Sequence, residues 1–232
     1  MKYEQLLEYY NSCLNFVDCF HYNSKVSHDV YQNHLGERKG QIVPITHDGI
    51  QDCRVLKTYV GKVLNIGFIG NSTPYKGLPL LVSTLKEIGQ STLWKLFVYG
   101  GKTGQEKDCP IYYRGVFKKD GASKVYSEMD VLIVPSIWKE TFSLVTLEAL
   151  SYGVPVVVSL NVGAQELVKH YNPMFVYSSQ GELKDLLCTI IKDRKPLIDF
   201  NRKILEGEWT FSVERHAQDI IEKVYLKNNS DF

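Results

Sequence analysis

Three observations predict an α/β fold with a doubly wound parallel sheet and helices on both faces. From about residue 60 onward, short runs rich in β-branched and aromatic residues recur, punctuated by Gly, Pro or Ser. They are VLNIGFIG (63–70), WKLFVYG (94–100), IYYRGVF (111–117), DVLIVPS (130–136), VPVVVS (154–159) and MFVYS (174–178). Near-continuous apolar runs of this length read as strands buried on both faces. Amphipathic stretches fill the gaps between them, which is the alternation of a doubly wound sheet. Finally, 232 residues at 44% hydrophobic and 23% charged can bury one large core.

Taken in order, the elements begin with a helix from Tyr3 to Leu14, amphipathic through Leu6, Leu7, Tyr10 and Leu14. A strand over 15–20 (NFVDCF), a helix over about 24–35 and a strand over 41–46 (QIVPIT) follow. That βαβ-like piece is too small to close a sheet and must pack on a larger body. Within the main region, Leu78, Leu81, Leu85 and Ile88 recur at helical spacing, with Pro79 in the first turn and Gly89 as the stop. A helix over 142–152 ends at Gly153 and Pro155, and 181–192 is amphipathic through Leu183, Leu186, Leu187, Ile190 and Ile191. A last helix, 213–227, turns Val213, Ile220, Ile221 and Val224 inward. The chain divides accordingly into 1–55, 56–208 and 209–232.

Charge and cysteine usage remove several classes. Lys+Arg 27 against Asp+Glu 26 leaves a net charge of +1, without a footprint for nucleic acid. Five scattered cysteines without a C-x-x-C pair read as reduced thiols, neither a disulfide framework nor a zinc site. His21, His28, His34 and His47 lack metal-ligand spacing, so no metal is expected. Lys2, Glu4 and Glu8 interrupt the start where a signal peptide would be apolar, and no window suits a membrane span. A cytoplasmic protein is expected, with a peripheral seat on the inner face of the membrane as the alternative.

Three segments carry chemistry. GGKTG (100–104) fails as a phosphate loop because Leu96 stands where that motif needs glycine, and G-x-G-x-x-G is absent. Gly100 and Gly101 instead let a ligand or the chain pass close to a strand end. In GFIGNSTPYKG, a strand ends at Gly70 and Lys76-Gly77 opens a helix. A lysine there opposes the helix dipole unless an anion joins it; a solvated surface lysine is the other reading. In PSIWKETFSLVTLEALSYGVPVVVS, Glu140 precedes a helix and Glu148 lies two turns into it. Backbone N–H groups at Phe142, Ser143 and Leu144 form the helix start, and the two carboxylates could accept hydrogen bonds from sugar hydroxyls. Two glutamates eight apart are, taken alone, more often a solvated face.

Glu-x7-Glu followed by G-V-P-V-V, the upstream Lys-Gly, D-V-L-I-V-P-S and W-T-F-S (209–212) together resemble the retaining glycosyltransferases of family 4, over about 60–228. The resemblance implies the GT-B fold, two Rossmann-like domains around a cleft, of which this chain holds the C-terminal nucleotide-sugar domain. Residues 1–55 would close an N-terminal acceptor domain whose remainder lies elsewhere, on a longer chain or a partner. By motif position, Lys76 would neutralise the donor diphosphate beside Gly70 and Asn71, and Glu148 would hold the ribose. Glu140 would contact the donor sugar, the backbone at Phe142, Ser143 and Leu144 the distal phosphate, and Val116 and Phe117 the base. Glu166 falls on a further acidic position. Asn71 replaces the usual arginine, which Arg114 or Lys102 would have to offset, and Ser143 stands in a slot usually held by glycine. The implied donor is a UDP-sugar first and a GDP-sugar second, and the implied acceptor a carbohydrate or glycolipid in polysaccharide biosynthesis. A non-catalytic nucleotide-sugar-binding subunit, or an epimerase or hydrolase on the same fold, are the alternatives.

Overall fold

The runs Val131–Val134 and Val156–Ser159 offer no charged residue to water, and the structure buries every residue of both. This is a computed structural model, which describes residues 2–71 and 73–226. The N-terminal piece contains α1 (Tyr3–Leu14), β1 (Phe20–Tyr22), α2 (Lys25–Leu35) and β2 (Gly40–Ile42). Then come β3 (Leu64–Ile69), α3 (Leu78–Ile88), β4 (Trp94–Tyr99), β5 (Thr103–Gln105), β6 (Ile111–Gly115) and α4 (Ala122–Ser127). The second half holds β7 (Val131–Val134), α5 (Leu144–Ser151), β8 (Val156–Ser159), α6 (Gln165–Tyr171) and β9 (Val176–Tyr177). Helices α7 (Gln180–Lys192), α8 (Lys195–Glu206) and α9 (Val213–Ile220) complete it, and π-type turns prolong α9 over 221–226.

The main sheet runs β5-β6-β4-β3-β7-β8-β9, parallel throughout except that β5 pairs antiparallel with β6. Strand order therefore reverses between β3 and β7, where Ile66 faces Val131. Right-handed crossovers then put α3 and α5 on opposite faces, and the carboxyl ends of β3 and β7 diverge into a crevice. Leu81 and Leu85 of α3, Leu147 and Leu150 of α5, and Leu183, Leu187 and Ile190 of α7 are fully buried. Each such side chain contributes about 1.5–3 kcal/mol.

Close backbone approaches set the loops at that crevice. Gly77 has φ +77°, and a Cβ there would lie 1.7 Å from the Pro135 carbonyl oxygen. Gly100 has φ +102°, and its Cβ would lie 2.3 Å from the Gly70 oxygen. The expected close passage at Gly100 is thus one strand-end loop against another. Residues 51–63, outside any helix or strand, form a strap that packs against α8. Asn201, fully buried in α8, accepts from the Lys57 N–H at 3.0 Å and donates to the carbonyls of Val55 (3.0 Å) and Gly153 (2.6 Å).

The structure corrects several expectations. The strand expected over 15–20 lies at Phe20–Tyr22, because β1 pairs only where β2 stands opposite, and Phe16 is 88% exposed. The strand expected over 41–46 is Gly40–Ile42, since Pro44 has no N–H to extend the ladder. Parallel pairing of β1 with β2 around α2 does make the expected βαβ unit, separate from the main sheet. Of the four residues expected to face inward from the last helix, Val213 and Ile221 are exposed. Val213 stands clear in the first turn and the wider π-type turns swing Ile221 outward; residue 227 lies outside the described residues. Elements that the sequence pattern did not single out are β5, α4, α6 and α8. Among the described residues, no helix is long and apolar enough to cross a membrane.

Candidate functional site

At the carboxyl ends of β3 and β7 lies a cleft of about 260 Å³, lined by Ile45, Gly70, Lys76, Ser136, Glu140 and the start of α5. A larger concavity, about 490 Å³, lies by the strap, but its charged groups serve the fold. Arg194 there donates to the carbonyls of Ile191 (2.6 Å) and Lys62 (3.0 Å), and Asp130 accepts the Asn65 N–H at 2.7 Å. Burial raises the Asp130 carboxyl above its usual range. Topology and chemistry, not size, single out the smaller cleft.

Lys76 reaches it from a short 3-10 turn, Pro74–Lys76, that Gly77 ends in the left-handed conformation. Its ammonium lies 2.9 Å from Glu140 Oε1, and the Ser136 hydroxyl donates to the same oxygen. Glu140 Oε2 has no hydrogen bond among the described residues. The Glu140 side chain is only 9% exposed, so the pair is held largely out of water. Its backbone is clamped as well: the Glu140 N–H donates to Asn161 O at 2.8 Å, and the Gly163 N–H to Glu140 O at 3.1 Å. Asn71 turns its side chain into its own loop, accepting from the Thr73 hydroxyl at 2.7 Å.

The α5 start is strained. Ser143, a residue with a side chain, sits at φ +94°, where glycine is favoured. Phe142 before it is buried, and its carbonyl accepts the Ala164 N–H at 2.7 Å, which anchors the turn. The Thr146 N–H is taken by Ser143 O at 3.1 Å, which leaves the Leu144 and Val145 N–H groups at the cleft lining beside Lys76.

Glu148 lies outside the cleft lining, about one turn along α5, and is held by two residues distant in sequence. The Tyr126 hydroxyl donates to its Oε2 at 2.8 Å, and His47 Nε2 lies 3.4 Å from its Oε1. His47 Nδ1 accepts the Gly49 N–H at 3.0 Å, which places the neutral ring's proton on Nε2, toward Glu148. Tyr126 is fully buried and stacked on Tyr152 at 4.9 Å. Burial first, and the Glu148 charge second, push its phenol far above the ordinary range.

The structure thus gathers Gly70, Lys76, Glu140, Phe142, Ser143 and Leu144 into one cleft, with Asn71 at its approach. Val116 is 81% exposed and Phe117 packs edge-on against Tyr99 at 5.7 Å; neither lines it. Glu166 is on the surface, paired with Lys169 at 3.1 Å. Neither cation expected to offset Asn71 lines the cleft: Arg114 lies over Phe97 at 5.0 Å and Lys102 over Tyr113 at 4.2 Å. Sequence reasoning missed Ser136, His47 and Tyr126, and also the ring pair Tyr75–Trp138, stacked at 5.7 Å beside the ion pair. Among the described residues, no three His, Cys, Asp or Glu side chains cluster to hold a metal ion.

Residues 63–193, more than half of the chain, match the family described as glycosyl transferases group 1. The chain belongs to that family. It is 32% identical over 123 residues to the uncharacterized glycosyltransferase MJ1607 of Methanocaldococcus jannaschii, covering 47% of this chain and 31% of that protein. It is 30% identical over 144 residues to sulfoquinovosyl transferase SQD2 of Arabidopsis thaliana, covering 57% of this chain and 27% of that protein. The chain therefore spans less than a third of the length of either curated relative. Among solved structures, Anabaena Alr3699/HepE in complex with UDP and glucose superposes with a TM-score of 0.75 at 18% identity, covering 96% of this chain and 67% of that one. Sucrose-phosphate synthase from Thermosynechococcus elongatus gives 0.71 at 19% identity, covering 100% and 63%. These likenesses show the fold, that of GT-B glycosyltransferases.

Proposed function

We propose that this chain is the C-terminal, nucleotide-sugar-binding part of a retaining glycosyltransferase of family 4. In this reading it transfers a hexosyl group from a UDP-sugar to a carbohydrate or glycolipid acceptor. The observation that carries it is the largely buried Lys76–Glu140 pair beside the start of α5 in a cleft at the strand-order reversal. Solved neighbours in complex with UDP and UDP-glucose support UDP over GDP as the base-bearing group. Residues 1–55 then belong to the acceptor half.

Glycosyl transfer builds positive charge at the anomeric carbon and negative charge on the departing diphosphate. Lys76 and the first N–H groups of α5 are fixed where that negative charge grows, a preorganised electrostatic role that requires no metal ion from the protein. Before a donor arrives, Glu140 neutralises Lys76; a diphosphate would take over the ammonium and free Glu140 for sugar hydroxyls. Glu148 would accept from the ribose, steadied by Tyr126 and His47. A non-catalytic subunit would keep the same residues, but the two relatives described above are named as transferases.

The test is a thermal-shift series with UDP, GDP and ADP on the full chain. UDP at a hundredfold over its Kd is expected to stabilise by about 2.7 kcal/mol, a rise of roughly 5–10 °C. Glu148→Ala should abolish the rise, and Lys76→Ala should cut transfer by about a hundredfold or more. A chain that no nucleotide stabilises would overturn the reading.

A further inference from the structure

Beside the ion pair, Tyr75 and Trp138 stack at 5.7 Å with ring planes 19° apart, and yet they remain 60% and 50% exposed. We propose that this ring pair is a stacking subsite for a pyranose ring, an inference that rests on the sugar-transfer reading above. Stacking uses one face of each ring, so the exposure leaves aromatic face and edge open to a ligand. Large aromatic surface left in water beside a cleft that holds an ion pair marks a binding surface.

The surroundings select the ligand chemistry. The Lys76 ammonium lies 5.9 Å from the Trp138 ring centre and 2.9 Å from Glu140 Oε1, while Glu140 Oε2 is an acceptor without a partner among the described residues. A flat apolar face flanked by one cation and one free acceptor fits a molecule with a C–H face and a hydroxyl rim. A pyranose is such a molecule, since its axial C–H groups meet the negative face of the aromatic ring. A purely apolar occupant would leave the Glu140 oxygen desolvated and unpaired.

The pair is also rigidly mounted. The Ile137 N–H donates to Tyr75 O at 2.9 Å, which ties the two loops together. Asn161 donates to Ile137 O at 2.7 Å, and Ser159 Oγ to Ser136 O at 2.6 Å, bracing the Trp138 loop from the β8 side. A preorganised platform loses little entropy when a ligand docks. The ring it receives comes from the donor or from the acceptor, and the experiment separates these sources.

The full chain is labelled with 5-fluorotryptophan and followed by fluorine NMR. Trp94 is buried and Trp209 packs on Phe211, so Trp138 is the exposed reporter, assigned with Trp138→Phe. One arm compares UDP with UDP-glucose and UDP-galactose. The other adds methyl glucoside, galactoside or mannoside to the UDP-saturated protein. A Trp138 shift with a UDP-sugar but not UDP assigns the donor ring; a shift with a methyl glycoside assigns the acceptor ring. In either case Trp138→Ala should weaken that sugar's binding about tenfold, and Trp138→Phe restore most of it. If UDP raises the melting temperature but no sugar moves the Trp138 signal, the subsite falls and the functional reading stands. If UDP does nothing, both fall together. A Trp138 signal that moves only with protein concentration would make the pair a contact between copies and overturn the proposal.

Discussion

The main sheet and the N-terminal piece use the same building unit, a parallel βαβ, with opposite dependence on their surroundings. In the main sheet β7 and β8 are buried on both faces, and helices such as α7 bury a continuous stripe from Leu183 to Ile191. In the N-terminal piece α1 buries nothing, α2 buries only Val26 and Ser27, and β1 contributes one buried ring, Tyr22. Ile50 and Ile45 pack that piece onto the main core, and polar attachments add to them: Ser24 Oγ donates to Thr141 O at 2.6 Å, and Thr46 Oγ1 to Phe211 O at 3.2 Å. The difference teaches that a two-stranded unit takes its stability from docking, and that the docking here falls on the loop that carries Glu140.

The largest expected break is in the strap against α8. Asn201→Leu keeps the branched shape but orphans the Lys57 N–H and the Val55 and Gly153 carbonyls, so it should cost about 4 kcal/mol in urea unfolding. The whole sheet should melt earlier, whereas a loss confined to the strap would show that it is an independent layer.

Ser24→Ala removes the α2 cap on the Ser27 N–H together with the Thr141 bond, at about 2 kcal/mol. Here the loss should be local. Amide exchange over 20–42 should quicken while 64–69 and 94–99 keep their protection, and equal losses in both would make the two regions one cooperative unit.

A smaller effect separates the regions by pH. The Lys57 ammonium donates to Tyr126 O at 2.6 Å and Met129 O at 2.7 Å, and burial pulls its pKa from 10.5 to about 8. Between those values the unfolded chain holds the proton that the folded chain has released, so this group's contribution to stability rises with pH. From pH 7.5 to 9 it should add about 1 kcal/mol. Comparing urea midpoints of the wild type and Lys57→Met across that range isolates it; identical slopes would refute it.

The smallest expected effect is a gain. Ser143→Gly relieves the positive φ but adds chain entropy, netting about 0.5 kcal/mol of stability. Its melting temperature should rise by a degree or two, and a fall would mean that the Ser143 hydroxyl, 3.1 Å from Thr146 Oγ1, outweighs the strain.

The inner strands were legible because burial on both faces leaves only apolar residues, as in Val131–Val134. Strand β5 was not, since Thr103, Gly104 and Gln105 are all exposed and carry no apolar signal. The apolar NFVDCF run misled for the opposite reason: Phe16 and Val17 are exposed, without a strand opposite them. Helix α8 did carry a signal, Leu197, Phe200 and Ile204 at helical spacing, among charged residues that obscured it. At the site, Lys76, Glu140 and the α5 start were readable as separate motifs. Their contact was not, because 64 residues separate Lys76 from Glu140, and 101 separate His47 from Glu148. Such pairings are made by the crossover of the sheet and leave no periodicity.

The glycine contacts at the crevice limit how this site can change. At Gly77 against Pro135, and at Gly100 against Gly70, main chain meets main chain with no room for a methyl group. No neighbouring rotamer can yield, so neither spacing can be tuned by a point substitution. Variation in what the cleft accepts must enter instead through exposed positions around it, such as Asn71, Tyr75, Trp138 and Lys139. A library built to redirect the site should randomise those four and leave the glycines untouched.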